Sequence, residues 1–181
     1  MITEGLIRKI LGEYPLPWDG IHGLAHWARV LENSLRLAKS TGAKIEVVQL
    51  FAVFHDARRV NEGADSGHGR RGAEFAASLR GSLFSLSSQD FDLLHTACTY
   101  HTDGLTEGDI TIQTCWDADR LDLRRAGIIP RKRYLCTPAA QDKGFLRWAN
   151  ERSRKGVVPD IVYREWTRGG LKSFLEMNRE S

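Results

Sequence analysis

Residues 45–60 read IEVVQLFAVFHDARRV. An apolar run, interrupted only by Glu46 and Gln49, leads to a histidine, an aspartate and, after one alanine, two arginines. So apolar a stretch reads as a buried helix over 45–60 with its chemistry gathered near the C-terminal end. A carboxylate in such surroundings is costly unless it is paired or bound to a metal. Asp56 is therefore the most informative residue of the chain. Its alternative reading is a buried ion pair with Arg58, Arg59 or Arg29.

Working outward, helical spacing continues on both sides. Before this stretch, Trp27, Val30, Leu31, Leu35 and Ala38 recur at three- and four-residue steps, which predicts a long amphipathic helix from about His22 to Ser40, ended by Gly42. Residues 2–12 form a short first helix, broken by Pro15, Pro17 and Asp19-Gly20. After it, 61–67 is a loop and 68–80 a helix. Ser87 caps a helix over 88–102, with Asp90 three residues on. Asp103-Gly104 is a turn, 110–126 is mostly helix, and Pro130 and Pro138 bound an irregular basic segment. Helices near 138–152 and 160–178 complete the chain. Strand alternation, internal repeats and low-complexity linkers are absent. The expectation is an all-α single domain over 1–181, a helical bundle with a basic helical C-terminal extension from about 137.

Composition supports one folded unit. In 181 residues, 41% are apolar and 27% charged, which excludes disordered and fibrous classes. No apolar run is long enough to span a bilayer, and residues 1–7 lack a signal peptide's basic start and apolar core. Cys98, Cys115 and Cys136 are too widely spaced for a disulfide framework or zinc knuckle, so a reducing cytoplasm is expected. Charge is uneven. Residues 1–119 carry 11 Lys/Arg against 16 Asp/Glu, and residues 120–181 carry 15 against 7. All six histidines (His22, His26, His55, His68, His95, His101) lie in the acidic part. That suits a metal site with phosphate-binding cations nearby; on charge alone, a solvated basic helix is the simpler reading.

A divalent ion is held by imidazoles and carboxylates drawn from several elements. His55-Asp56 supplies one such pair. His26 lies one turn after His22 in the preceding helix, and a histidine pair at that spacing can chelate an ion alone, or one member can simply pack. The segment Asp117-Ala118-Asp119-Arg120-Leu121-Asp122 gathers three acids between apolar flanks, which tilts it toward a cation. His95 and His22 read as packing or surface histidines, and Cys98, Cys115 and Cys136 as small core residues. Trp27, Trp116, Trp148 and Trp166 read as packing.

The order His26, His55-Asp56, Asp119 resembles the HD-domain superfamily of metal-dependent phosphohydrolases. HGLAHWARV is similar to its first-histidine helix, LFAVFHDARR to its His-Asp helix and DADRLD to its closing aspartate motif. The resemblance covers about residues 20–126. It implies His26, His55, Asp56 and Asp119 as metal ligands, with Asp117 orienting a ligand or binding backbone. HGRRGAEF and YHTDG resemble the segments that supply two further histidines in two-metal members, here His68 and His101; if both ligate, Asp56 bridges two ions. The Gly-Tyr-Pro signature of cyclic di-GMP hydrolysis is absent after His101, where the chain continues Thr102-Asp103-Gly104-Leu105.

The resemblance further implies hydrolysis of a small phosphate ester, a nucleotide or related metabolite, by a metal-activated water. Asp56 would take or steer the proton. His68 and His101, if not ligands, would serve as proton donors to the leaving oxygen. Arg59, one turn after His55 on the expected helix face and basic in two-metal relatives, would grip the phosphate. One or two ions are expected from Mn, Mg, Co, Ni, Zn or Fe. The basic segment Arg131-Lys132-Arg133 could close over a polyanion, but it has no aromatic-basic interleaving, so nucleic acid is disfavoured. Two other readings are a di-iron oxygenase on the same scaffold and a nucleotide-binding regulatory module.

Overall fold

The structure, a computed structural model, describes residues 2–166. It is all-helical, as expected, with no β-strand among these residues. The helices are α1 (Glu4–Gly12), α2 (Leu24–Thr41), α3 (Ile45–Phe54), α4 (His68–Leu79), α5 (Ser88–Tyr100), α6 (Ile110–Arg120), α7 (Pro138–Gln141) and α8 (Lys143–Arg154), with 3-10 turns at Leu123–Ala126 and Lys132–Tyr134 and a π turn at Val162–Trp166.

Local chemistry sets the ends. Thr3, Ser87, Asp109 and Asp142 each cap a helix by accepting a backbone N–H through the side chain. Gly42 ends α2 in the left-handed region at φ 72°, its N–H on Ala38 O. Helix α3 is the central rod. Val47, Val48, Leu50, Phe51, Ala52, Val53 and Phe54 are fully buried, and α2, α5 and α6 surround it. Truncating Leu50 to alanine there would cost about 2–5 kcal/mol.

Three boundaries differ from the sequence reading. The helix expected over 45–60 ends at Phe54, and the chain tightens into i→i+3 turns, with Ala57 N on Phe54 O and Arg59 N on Asp56 O. The α2 helix begins at Leu24, so His22 precedes it. The helix near 138–152 is two helices, because Asp142 leaves helical geometry to cap α8. Of the helix expected over 160–178, residues 167–178 lie outside the described residues.

Helix α4 lies unusually close to its neighbours, and glycine is the reason. A Cβ on Gly69 would sit 2.2 Å from Cys98 O, and one on Gly72 would sit 2.3 Å from Phe54 O. Only bare backbone allows that approach. It presses the start of α4 against the ends of α3 and α5, where His68, His55-Asp56 and His101 lie.

Candidate metal centre

Six groups converge from five helices. His26 comes from α2, His55 and Asp56 from the turn ending α3, His68 from the first turn of α4, His101 from the end of α5 and Asp119 from the last turn of α6. All are buried, from 0% exposure at His26 and His55 to 8% at Asp119. Because α3 stops at Phe54, His55 and Asp56 sit where the chain turns, and both reach one centre.

The imidazoles meet in two pairs. His26 Nε2 lies 2.9 Å from His55 Nε2. His26 Nδ1 is 2.8 Å from Asp122 Oδ2, and His55 Nδ1 is 3.1 Å from Phe51 O. Those oxygens only accept, so both Nδ1 atoms carry the hydrogen, and the facing Nε2 atoms present lone pairs. The second pair repeats this. His68 Nε2 and His101 Nε2 are 3.0 Å apart, while their Nδ1 atoms donate to Asp65 O at 2.6 Å and Cys98 O at 2.7 Å. Two lone pairs at such a distance repel unless a cation or proton joins them.

Carboxylate oxygens complete each group. Asp56 Oδ2 is 3.5 Å from His26 Nε2 and 3.7 Å from His55 Nε2; Asp119 Oδ1 is 3.5 Å and 3.8 Å from the same atoms. Asp119 Oδ1 is buried with no hydrogen-bond partner among the described residues. An ion with arms of about 2.1 Å separates ligand atoms by about 3.0 Å in an octahedron and about 3.4 Å in a tetrahedron. The observed 2.9–3.8 Å brackets both. Asp56 Oδ1 lies 3.0 Å from His68 Nε2 and 3.7 Å from His101 Nε2. The donor set thus fits a metal. These buried His/Asp groups could hold one ion at His26, His55 and Asp119, with Asp56 Oδ2 3.5 Å from His26 Nε2, and a second at Asp56, His68 and His101. Asp56 would face both.

The electrostatics agree with a cation-seeking centre. Burial drives the His55 pKa down to about 3, so its ring stays neutral. Burial also works against ionising Asp56 and Asp119, but surrounding groups outweigh it. His55 leads in both cases, joined by His101, His22 and His26 hydrogen bonds at Asp56 and by Arg125 at Asp119. Asp56 is held well below the usual carboxylate range, and Asp119 at about 2. His101 is raised, because the Asp56 and Asp119 carboxylates overcome its burial.

Further residues surround this core. Asp122 takes the His26 Nδ1 hydrogen and pairs with Arg29 at 2.7 and 3.0 Å, so it fixes the His26 tautomer. His22 is not a bystander: its Nδ1 lies 2.7 Å from Asp56 Oδ2, in a further possible metal-holding group with His26 and Asp56. Arg125 reaches from the 3-10 turn. It donates to Ile21 O and Asp122 O, and its Nη2 lies 3.8 Å from Asp119 Oδ1 and 3.9 Å from Asp56 Oδ2. Sequence reasoning counted Asp122 only as one of three acids tilted toward a cation, assigned no role to Arg125 and, having allowed His22 as a chelating partner of His26, read it as a packing or surface histidine.

Arg59 does reach the centre, though not along a helix face. Its Nη1 is 3.5 Å from Asp56 Oδ1 and 3.2 Å from His68 Nε2, while Nε and Nη2 donate to Asn61 O and Gly63 O. Of the ion pairs weighed for Asp56, Arg58 pairs with Glu13 and Arg29 with Asp122 instead. Asp117 binds backbone: it accepts from Cys136 N, Thr137 N and Thr137 Oγ1, outside the His/Asp groups. His95 stands apart, half-buried beside Phe91. Cys98 and Cys115 are buried, and Cys136 is half-buried. No helix among the described residues is long and apolar enough to cross a membrane.

Compared with protein-family models, curated proteins and solved structures, the chain matches none.

Proposed function

We propose that this chain is a divalent-metal-dependent phosphohydrolase of the HD type, acting on a small phosphate ester, a nucleotide or related metabolite. One observation carries the reading: two pairs of imidazole lone pairs face each other across the two oxygens of one buried aspartate. His26, His55, Asp56 and Asp119 would hold one divalent ion, and His68, His101 and Asp56 a second, from Mn, Mg, Co, Ni, Zn or Fe. Such an ion supplies Lewis acidity and lowers the pKa of a water toward about 7.

The protein's own groups supply the rest. Asp56 stays ionised and accepts at either oxygen, so it can take or steer a proton. His22, its Nδ1–H on Asp56 Oδ2, keeps that carboxylate oriented. In a one-ion form, His68 and His101 are free to donate to the leaving oxygen. Arg59 and Arg125 flank the centre from opposite segments with guanidinium hydrogens available for phosphate oxygens.

The test is phosphate release from nucleotides and sugar phosphates, using metal-stripped protein with each divalent ion added back. Metal-dependent release that Asp56→Ala abolishes is the expected result; no release with any ion refutes the proposal. The position of Asp56 between the two histidine pairs would suit a di-iron oxygenase equally well. That second reading requires iron in the purified protein and oxygen consumption.

A further inference from the structure

A pair of adjoining cavities lies on the outer side of the segment that follows α6. The first, about 280 Å³, is lined by Arg120, Ile128, Ile129, Arg131, Tyr134 and Leu135, among others. The second, about 310 Å³, shares Ile129 and adds Arg124, Arg147, Asn150 and Arg154. Neither lining includes a residue of the His/Asp groups. Each is near the lower end of the usual range for small-molecule sites, about 300–1,000 Å³.

The two halves differ in chemistry. The first is an apolar slot. Its rim carries Ile128 and Ile129, more than half exposed, and Tyr134, nearly so. Arg120 forms its base: it is 7% exposed, its Nη1 donates to Tyr134 O and Cys136 Sγ, and its buried Nη2 has no partner among the described residues. The second half is cationic. Arg124, Arg147 and Arg154 form no ion pair among the described residues, and the carboxylate beside them, Glu151, faces Lys155 at 3.2 Å. Arg124, Arg147 and Arg154 line one cavity without a carboxylate partner among the described residues, so their positive charge is uncompensated there. A bound polyanion compensates it, since each guanidinium can grip two phosphate oxygens.

We propose that these cavities form a second binding site, separate from the metal centre, for a small molecule with a planar apolar body and two or more phosphates: a nucleoside polyphosphate by chemistry. The body enters the slot against Ile128, Ile129 and Tyr134, with a polar edge toward Arg120. The phosphates lie along Arg124, Arg147 and Arg154. The slot favours this ligand over a nucleic-acid backbone, which presents charge without an apolar end.

The test is calorimetric titration of chelator-treated full-length protein with ATP, with inorganic tripolyphosphate and with a single-stranded oligonucleotide. ATP should bind once per chain, equally in wild type and Asp56→Ala, and about tenfold more tightly than tripolyphosphate. The Arg147→Ala/Arg154→Ala pair should weaken ATP at least about tenfold while leaving metal-dependent phosphate release unchanged. Tyr134→Ala should weaken ATP but not tripolyphosphate. Four results overturn the proposal: no saturable ATP binding, ATP binding lost in Asp56→Ala, equal affinity for ATP and tripolyphosphate, or tighter binding of the oligonucleotide. The metal-centre reading survives each of them.

Discussion

Asp122→Asn is the sharpest perturbation of the metal centre, because it changes one charge and almost no volume. Asp122 does two jobs. Its Oδ2 accepts the His26 Nδ1 hydrogen at 2.8 Å, which leaves Nε2 as a lone pair, and both oxygens grip Arg29. An asparagine that turns its NH2 toward His26 forces the opposite tautomer and places a hydrogen where an ion would bind. Loss of such an orienting partner costs about 10–100-fold in metal affinity, or about 1.4–2.8 kcal/mol. Breaking the buried Arg29 pair costs about 3–5 kcal/mol separately. For a chain of this size each kcal/mol moves the melting temperature by about 2–4 °C. Asp122→Asn should therefore melt about 6–20 °C lower without metal, and saturating metal should protect it by about 3–11 °C less than wild type.

Arg29→Met separates the two jobs. It breaks the same ion pair but leaves the His26 hydrogen bond, so it should lose stability while metal affinity stays within about threefold. Calorimetric metal titration and thermal unfolding, with and without the ion, read both quantities. If Asp122→Asn binds metal as wild type does and only its stability falls, Asp122 merely anchors Arg29 and the tautomer reasoning fails. Equal affinity losses in both variants would refute it too.

Three further predictions follow from neighbouring residues. Asp119→Ala should lose bound metal and phosphate release, whereas Asp117→Ala should keep the metal and lose about 1–3 kcal/mol, since it leaves the N–H groups of Cys136 and Thr137 unpaired; the reverse pattern in metal analysis would mean the wrong aspartate has been assigned. Arg59→Ala should raise KM or lower kcat at unchanged occupancy of the His26 site, and kinetics identical to wild type would exclude Arg59 from phosphate contact. Without metal, the folded His55 value of about 3 lies below the 6.5 of the unfolded chain, so between those values only the unfolded state binds the proton and stability falls as pH drops, by about 1.4 kcal/mol per unit. Urea unfolding at pH 6.5 and 4.5 should show wild type losing about 2.3 kcal/mol more than His55→Phe, since the unfolded ring is already half protonated at pH 6.5, and parallel losses would contradict the buried neutral ring.

The sequence made the apolar rod and its His55-Asp56 terminus legible because burial on all sides leaves a continuous apolar run. It also pointed to His26, His68, His101 and Asp119, and all of them meet Asp56 or His55. It did not separate the jobs within Asp117-Ala118-Asp119-Arg120-Leu121-Asp122. Those jobs depend on which segment lies opposite: the 136–137 corner for Asp117, the histidines for Asp119, α2 for Asp122. The usable signal was spacing, since Asp119 and Asp122 are three apart and Asp117 is on another face. His22 was obscured differently. A helix drawn from residue 22 makes it a turn-mate of His26, but α2 starts at Leu24, and the preceding loop turns His22 onto Asp56 instead. Arg125 belongs to a short 3-10 turn with no periodic signature, so only the packed structure brings it near.

The arginines separate the buried carboxylate that is satisfied within the fold from those that are not. Arg29 meets Asp122 through two direct hydrogen bonds, and that carboxylate is satisfied within the protein. Arg59 and Arg125 stop 3.5–3.9 Å from Asp56 and Asp119 and give hydrogen bonds to carbonyl oxygens of Asn61, Gly63, Ile21 and Asp122. They hold the adjoining segments in place without capping the acids. Were the centre only a buried salt-bridge network, those guanidiniums would be expected to close the remaining distance, because an unpaired buried carboxylate oxygen is expensive. They leave Asp119 Oδ1 without a partner, facing His26 and His55. With histidine Nε2 atoms and carboxylate oxygens facing inward and guanidinium charge held just outside, these groups could hold a metal ion, which is what the proposed function requires of them.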